Sequence, residues 1–213
     1  MNIIILLFQA WMLVLALGVD AFVCSFSYGA SKIKIPFKSV LVINVVCMSL
    51  LAIGLFLGAI INSFLSDGAA GWIAFIILFG LGISKIFDST IKQIIRKYNG
   101  FEKDFKFSLF NLSFIFKIYA DPKEADVDQS KELTPKEAMP LAIAIGLDGL
   151  SVGIGIGIAM INPFLILGLS RISDTIAIIL GAYLGNKLAQ KTNWDLSWLS
   201  GIILILIAIL EIL

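Results

Sequence analysis

The sequence predicts an all-α membrane protein, with six transmembrane helices arranged as two inverted three-helix repeats. Three observations support this fold class. First, 59% of the 213 residues are hydrophobic and only 15% are charged, whereas soluble domains carry about 25% charged residues. Second, six apolar segments are long enough to cross a bilayer, for which about 20 residues suffice. Third, a motif centred on an aspartate occurs in both the first and the fourth segment.

The apolar segments set the predicted helices and domains. The helices cover residues 3–28, 37–65, 69–87, 138–161, 163–186 and 196–213. They divide the chain into a first repeat, a connecting loop and a second repeat, at 1–87, 88–137 and 138–213. Within the loop, residues 105–118 alternate apolar and polar side chains imperfectly, which fits either a short strand pair or a segment on the membrane surface.

Basic residues predict how the helices are oriented in the membrane. The connections after the first and fifth helices are basic and contain Lys32, Lys34, Lys38, Lys187 and Lys191. The short connections after the second and fourth helices contain no basic residue. Because positive loops stay in the cytoplasm, we expect the odd-numbered connections there, including the long third one, and both termini outside. The chain is therefore expected to be a multi-pass protein of the cell membrane.

The repeat is visible in two aligned stretches. Residues 14–29 read VLALGVDAFVCSFSYG and residues 142–157 read AIAIGLDGLSVGIGIG, with Asp20 and Asp148 in register. A second match, IGLFLG against ILGAYLG, follows in the next helix of each copy. Three helices per copy is an odd number, so the copies insert in opposite orientations. Transporters built in this way bind substrate at the repeat interface near the bilayer midplane.

Asp20 and Asp148 are the principal candidates for a transported cation. A carboxylate at a helix centre costs about 2.5–3.5 kcal/mol on insertion scales, and this chain has one at the matching place in each repeat. We expect the two carboxylates to face one another, and to hold a proton between them until a metal enters. The alternative is structural, since an intramembrane aspartate can also hydrogen-bond across helices.

The fifth helix adds Arg171 and Asp174, three residues apart. One interpretation is an ion pair that makes both charges tolerable in the membrane. The other makes Asp174 a third cation ligand and Arg171 a counter-charge for the empty site. The second repeat match aligns Asp174 with Cys47, and Asn44 lies one turn earlier, so both join the candidate cation-binding residues.

Residues 126–137, DVDQSKELTPKE, have the ligand spacing of an EF-hand calcium loop. The candidate ligands are Asp126, Asp128, Ser130, Glu132, Thr134 and Glu137. The sixth position, where the sharp turn favours glycine, is Lys131. The alternative is helix capping, with Thr134 as N-cap, Pro135 at the first helical position and Glu137 reaching back. The two interpretations are compatible, and the loop is a candidate site for a divalent ion such as Ca²⁺.

Two sets of motifs resemble a known family. GVDAF and GLDGL are similar to the paired motifs of the MntP manganese efflux pumps, which belong to the LysE-like exporters. YGASKIKIP (28–36) and residues 125–150 look like the sporulation membrane protein branch known as YtaF. The resemblance implies a LysE-like six-helix fold and divalent-cation export through Asp20 and Asp148. The manganese branch has an acid in helix two, about where Cys47 stands here.

These observations together predict a secondary transporter that exports a divalent cation, with Mn²⁺ as the expected substrate. Carboxylate oxygens suit Mn²⁺, and the chain contains no histidine for a zinc or copper site. An ion gradient would supply the energy, because no ATP-binding motif occurs. The alternatives are a Cd²⁺ or Zn²⁺ exporter, if Cys24 and Cys47 face the site, and a non-transporting scaffold or sensor in sporulation.

We expect no enzymatic activity, because the sequence offers no plausible nucleophile and base pair. The expected partners are the lipid bilayer and divalent cations, with no tightly bound cofactor and no nucleic acid. The sequence leaves open whether the protein forms a homo-oligomer.

Overall fold

The computed structural model describes residues 3–87, 115, 118, 122–159, 161–188 and 209. Within these residues the protein is all α, apart from one isolated β-bridge. The helices are α1 (Ile3–Ala30), α2 (Phe37–Ser63), α3 (Asp67–Ile86), α4 (Pro135–Ile158) and α5 (Pro163–Leu188), with a 3-10 helix (Pro122–Ala125) before α4. Their ends lie within three residues of the predicted ones. The predicted sixth helix (196–213) and the segment 105–118 lie almost entirely outside the described residues.

The surface of the bundle is apolar. The helices α2, α3, α4 and α5 are each long and apolar enough to cross a membrane, and α1 contains a shorter apolar stretch, Val14–Ala30. Large apolar side chains are exposed on these helices, including Phe56, Phe64, Trp72 and Phe164. Exposed large apolar side chains on helices long enough to cross a bilayer indicate contact with lipid. The chain is therefore a multi-pass membrane protein, as predicted.

Helix α1 packs along α5 through glycines. Gly29 of α1 lies against the backbone carbonyl of Ala182, and Gly185 of α5 lies against the backbone carbonyl of Phe26. A Cβ atom at either glycine would overlap the facing backbone. Because lipid tails are as apolar as the helices, association depends on such close van der Waals contact.

The same contact recurs between α2 and α4. Gly58 lies against the carbonyl of Ile154, and Gly157 lies against the carbonyl of Leu55. Gly29 and Gly157 are 128 residues apart, which is also the separation of Asp20 and Asp148. Gly58 and Gly185 are 127 residues apart. The sequence repeat is thus also a repeat of backbone contacts. The packing of α1 on α5 corresponds to the packing of α4 on α2.

The connection between α1 and α2 binds the segment that precedes α4. The backbone N–H of Lys34 donates to the carbonyl of Lys131 at 2.8 Å, and the N–H of Leu133 donates to the carbonyl of Lys34 at 2.9 Å. The Ser39 hydroxyl donates to the carbonyl of Leu133 at 2.6 Å. These bonds place the basic first connection and the end of the third connection at the same end of the bundle.

Glycine packing gives a testable prediction for stability. We expect Gly185→Ala to lower the free energy of unfolding by about 1–3 kcal/mol, because the added methyl group meets a backbone carbonyl that cannot rotate away. Denaturation in mixed detergent micelles measures the change. Gly168→Ala is the matched control, since Gly168 lies in the same helix beside open space. Equal stability of the two variants would contradict the contact.

Candidate functional site

Two aspartates from α1 and α4 meet at one lysine of α3. The Nζ atom of Lys85 lies 2.6 Å from Oδ2 of Asp20 and 2.5 Å from Oδ2 of Asp148. The lysine side chain is 8% exposed, and those of the aspartates are 17% and 26% exposed. One ammonium therefore donates a hydrogen bond to each carboxylate and joins three helices inside the bundle.

The three charges are positioned by their helices. Asp20 and Asp148 lie in the central parts of α1 and α4, and Lys85 lies in the last turn of α3. A basic residue there also interacts favourably with the helix dipole. Removing one partner of a buried ion pair costs about 3–5 kcal/mol, because the remaining charge is left uncompensated. This cluster therefore constrains how the three helices pack.

Sequence reasoning missed Lys85. It lies 65 residues after Asp20 and 63 residues before Asp148, so no local pattern connects the three. One signal was available: Lys85 is the basic residue within the predicted third span, 69–87. An ionisable residue inside a span is a functional candidate by default. The positive charge between the two aspartates is thus an ammonium of the protein, where we had expected a proton.

A small cavity adjoins Asp20. It has a volume of about 30 Å³, and its lining includes Asp20, Asn44, Cys47 and Asp174. This volume is large enough for a water molecule, which needs at least about 10–15 Å³. Four of the five candidate cation-binding residues therefore lie around one cavity. The fifth, Asp148, is joined to Asp20 through Lys85.

Two oxygens of this cavity lack a donor. Within the described part of the chain, Oδ1 of Asn44 and Oδ1 of Asp174 are buried without a hydrogen-bond partner. The Nδ2 atom of Asn44 donates to Oγ1 of Thr175 at 2.9 Å, which orients the amide. A buried acceptor without a donor costs about 1–3 kcal/mol. Such oxygens are suited to receive a cation, a proton or a water molecule.

Cys47 is placed differently from the oxygens. Its thiol is 3.5 Å from the backbone carbonyl of Ala142, to which it donates a hydrogen bond. Cys24 is buried in the core at the loop end of the bundle, among residues such as Tyr28 and Leu133. Cys47 therefore borders the cavity, whereas Cys24 is not among the residues that line it.

The predicted ion pair between Arg171 and Asp174 is wrong. Arg171 is exposed, and the ion pairs formed by the described residues do not include it. Helix α5 is rotated so that Asp174 lines the cavity while Arg171 lies on the exposed side. A spacing of three residues separates the two side chains by about 60° around the helix, so one can line the cavity while the other is exposed. The counter-charge predicted for Arg171 is supplied to the aspartate pair by Lys85.

The loop before α4 gathers three of its six candidate ligands. Asp126, Asp128 and Glu137 each offer an oxygen, and these oxygens lie within 4.8 Å of one another. Burial raises the pKa of the Asp126 carboxyl, whereas hydrogen bonds from the side chain and backbone of Ser130 lower the pKa of Asp128. Lys131 adopts the left-handed conformation with φ of 61°, so the sharp turn forms without glycine.

The capping interpretation of this loop is confirmed. Thr134 caps α4 by accepting a hydrogen bond from the N–H of Glu137, and Oε2 of Glu137 accepts one from the N–H of Thr134. Oε1 of Glu137 accepts a further bond from the N–H of Val127 at 3.0 Å. The carboxylate is therefore already used by the backbone, and an ion would compete with these donors. Ser130 and Glu132 are exposed. Calcium binding stays a prediction.

Comparison with known proteins gives consistent relationships. The Mntp family model, described as "Putative manganese efflux pump", matches residues 107–213. "Probable sporulation protein YtaF" of Bacillus subtilis (strain 168) is 27% identical over 201 residues, 93% of this chain and 95% of the relative. "Putative manganese efflux pump MntP" of Methanosphaera stadtmanae is 28% identical over 201 residues, 92% and 93% of the two chains. The protein of that name from Pseudomonas aeruginosa (strain LESB58) is 24% identical over 211 residues, 97% and 94%. No solved structure matches the chain.

The loop yields a prediction for metal binding. In the full-length protein, Lys131→Gly should tighten binding of Ca²⁺ or Mn²⁺ at this loop, because glycine adopts the left-handed turn without strain. Asp126→Ala combined with Glu137→Ala should abolish the binding at the loop and leave a metal ion bound at Asp20 and Asp148 unaffected. Isothermal titration measures both effects.

Lys136→Gln is the control for this experiment, because it removes one exposed positive charge nearby without changing the turn. Equal, negligible binding by the parent and all variants would leave the loop with its capping role alone.

Proposed function

We propose a transport function for this chain, which belongs to the family described as "Putative manganese efflux pump". The chain is a secondary transporter that exports a divalent metal cation, and Mn²⁺ is the expected substrate. One observation carries this proposal. Two intramembrane carboxylates, Asp20 and Asp148, one from each copy of the repeated motif, converge on a single ammonium inside the bundle. A position that holds a positive charge between two carboxylates suits a transported cation. The relatives named as manganese efflux pumps support the same class.

The proposed architecture consists of two inverted three-helix repeats. The recurrence of the glycine contacts, α1 with α5 and α4 with α2, supports it. Helices α1, α2 and α3 form the first repeat; α4, α5 and the predicted helix at 196–213 form the second. The basic first connection and the third connection would face the cytoplasm, and both termini would lie outside. The aspartate pair then lies at the repeat interface, where transporters of this kind bind substrate.

The charges of the site favour a divalent ion. Asp20, Asp148 and Asp174 supply three carboxylates, and Lys85 supplies one ammonium. If all four are ionised, two negative charges are in excess, which one divalent cation would balance. Carboxylate and amide oxygens suit Mn²⁺. The Cys47 thiol is engaged with a backbone carbonyl, which favours Mn²⁺ over Cd²⁺ or Zn²⁺.

A second candidate function follows from the sporulation relative. The protein named "Probable sporulation protein YtaF" aligns with 93% of this chain, and the loop before α4 is bound to the first connection through Lys34. A membrane scaffold or sensor would use this loop rather than the intramembrane charges. The two functions differ in one measurable quantity. Loss of an exporter raises cellular metal, whereas loss of a scaffold leaves it unchanged.

The aspartate pair gives the decisive prediction for transport. In a deletion strain, the parent gene should restore low cellular manganese, and Asp20→Asn or Asp148→Asn should each abolish that restoration. Asparagine keeps the shape but removes the charge that attracts the metal. Mass spectrometry of whole cells measures the metal, and membrane fractionation checks insertion.

Arg171→Gln is the control, since it removes an exposed charge from α5 and should restore low manganese like the parent. Asp174→Asn should reduce export if its oxygen binds the ion. The proposed transport function is contradicted if both Asp20→Asn and Asp148→Asn lower cellular manganese as much as the parent does.

Topology is tested separately. Tags at both termini should be labelled by membrane-impermeant reagents that are added to intact cells. A cysteine in place of Lys34, in the first connection, should be labelled only after the membrane has been permeabilised. Positive loops are retained in the cytoplasm during insertion. Labelling of intact cells at Lys34 but not at the termini would contradict the orientation.

A further inference from the structure

The ammonium of Lys85 occupies the position that the proposed function gives to the transported cation. Its Nζ atom is within 2.6 Å of one carboxylate oxygen of Asp20 and one of Asp148. A metal ion that used these same two oxygens could not enter until the ammonium moved away. Lys85 therefore competes directly with the substrate for the site.

We propose that Lys85 is a tethered competitor that makes the site selective for divalent over monovalent cations. The inference rests on the proposed function, because it assumes that Asp20 and Asp148 bind the transported ion. It adds a role for Lys85 that export alone does not require. An exporter could be built with two aspartates and no lysine between them.

The selectivity follows from charge and tethering. The ammonium is already attached to α3, so it binds the aspartates without losing the translational freedom that a free ion loses. Na⁺ and K⁺ carry the same single charge and must also give up their hydration shells. They therefore gain nothing by exchange with Lys85. A divalent ion gives up more hydration energy than Na⁺, but it is attracted about twice as strongly to each of the two carboxylates at a given distance. It displaces the ammonium when both carboxylates bind it directly.

The displaced ammonium has acceptors within the protein. A buried charge that loses its partner is costly unless another is at hand. Oδ1 of Asp174 and Oδ1 of Asn44 are buried in the cavity beside Asp20, and within the described residues neither has a hydrogen-bond partner. With the metal between Asp20 and Asp148 and the ammonium beside Asp174, the charges balance. The proposal gives the two unpartnered oxygens a role as acceptors for the displaced ammonium.

A binding experiment on the full-length protein in lipid nanodiscs tests the role. Free Mn²⁺ is measured by its paramagnetic resonance signal, in NaCl or in N-methyl-D-glucamine chloride, whose cation is too large for the cavity. The parent should bind Mn²⁺ equally well in both salts. Lys85→Gln should bind Mn²⁺ about tenfold more tightly in N-methyl-D-glucamine chloride, a coupling of ordinary size between two ligands. It should lose that gain in NaCl, because Na⁺ can now occupy the site.

Two control variants accompany it. Lys85→Arg keeps one tethered positive charge and should restore the indifference to Na⁺. Lys38→Gln removes an exposed lysine from the start of α2 and should behave like the parent in both salts. Asp20→Asn should lose the Mn²⁺ ion bound at this site, while Mn²⁺ bound at the loop before α4 is unchanged, which reports on the proposed site independently of Lys85.

The outcomes separate this inference from the proposed function. If Lys85→Gln binds Mn²⁺ with parental affinity in both salts while Asp20→Asn has lost binding, the competitor role is overturned and the transport site stands. If Asp20→Asn and Asp148→Asn bind like the parent, the transport site itself is wrong and the inference falls with it.

A second measurement uses the unaltered protein, in case Lys85→Gln does not insert. Reductive methylation of Lys85, read by mass spectrometry, should increase when Mn²⁺ is added, because the displaced amine then has one carboxylate and a metal ion beside it in place of two carboxylates, so its reactive neutral form is reached more readily. Na⁺ should leave it unchanged. Methylation of Lys85 that does not respond to Mn²⁺ overturns the inference.

Discussion

Placing charge in the interior of an apolar bundle is the constraint on which this structure depends. Asp20 and Asp148 are tolerable there because Lys85 donates a hydrogen bond to each of them. A buried charge without a partner costs several kcal/mol, so the three helices that bear these residues must pack together. The same requirement makes the site useful. Groups arranged to stabilise one positive charge in the membrane can also receive another.

The glycine contacts supply the complementary constraint, which is distance. Carboxylates from different helices reach one ammonium only when the backbones approach closely, and Gly58 and Gly185 permit this at equivalent places in the two halves. Their separation of 127 residues is within one residue of the separation of the two aspartates. Packing and charge are thus organised by the same duplication, and Lys85 and Asp174 are charged residues that depart from it.

Helix positions and the aspartate pair could be predicted from the sequence, because hydropathy and a repeated motif are local signals. The Thr134 cap was predictable for the same reason. Lys85 was missed because its partners lie more than sixty residues away along the chain. Arg171 was misplaced because spacing along a helix does not tell which face turns toward the neighbours. Rotation of α5 is set by its packing on α1, which the sequence alone does not encode locally.

The exchange of partners between the two halves has a consequence for biosynthesis. Helix α1 leaves the ribosome long before α5, on which it packs, and α2 long before α4. The early helices must therefore wait in the bilayer, with Lys85 paired to Asp20 alone until Asp148 is made and shares the same ammonium. Final assembly is necessarily a late event. A chain that stops after α3 would lack α5 and α4, the helices on which α1 and α2 pack. Premature termination or slow insertion of the second half should therefore expose this protein to membrane quality-control proteases.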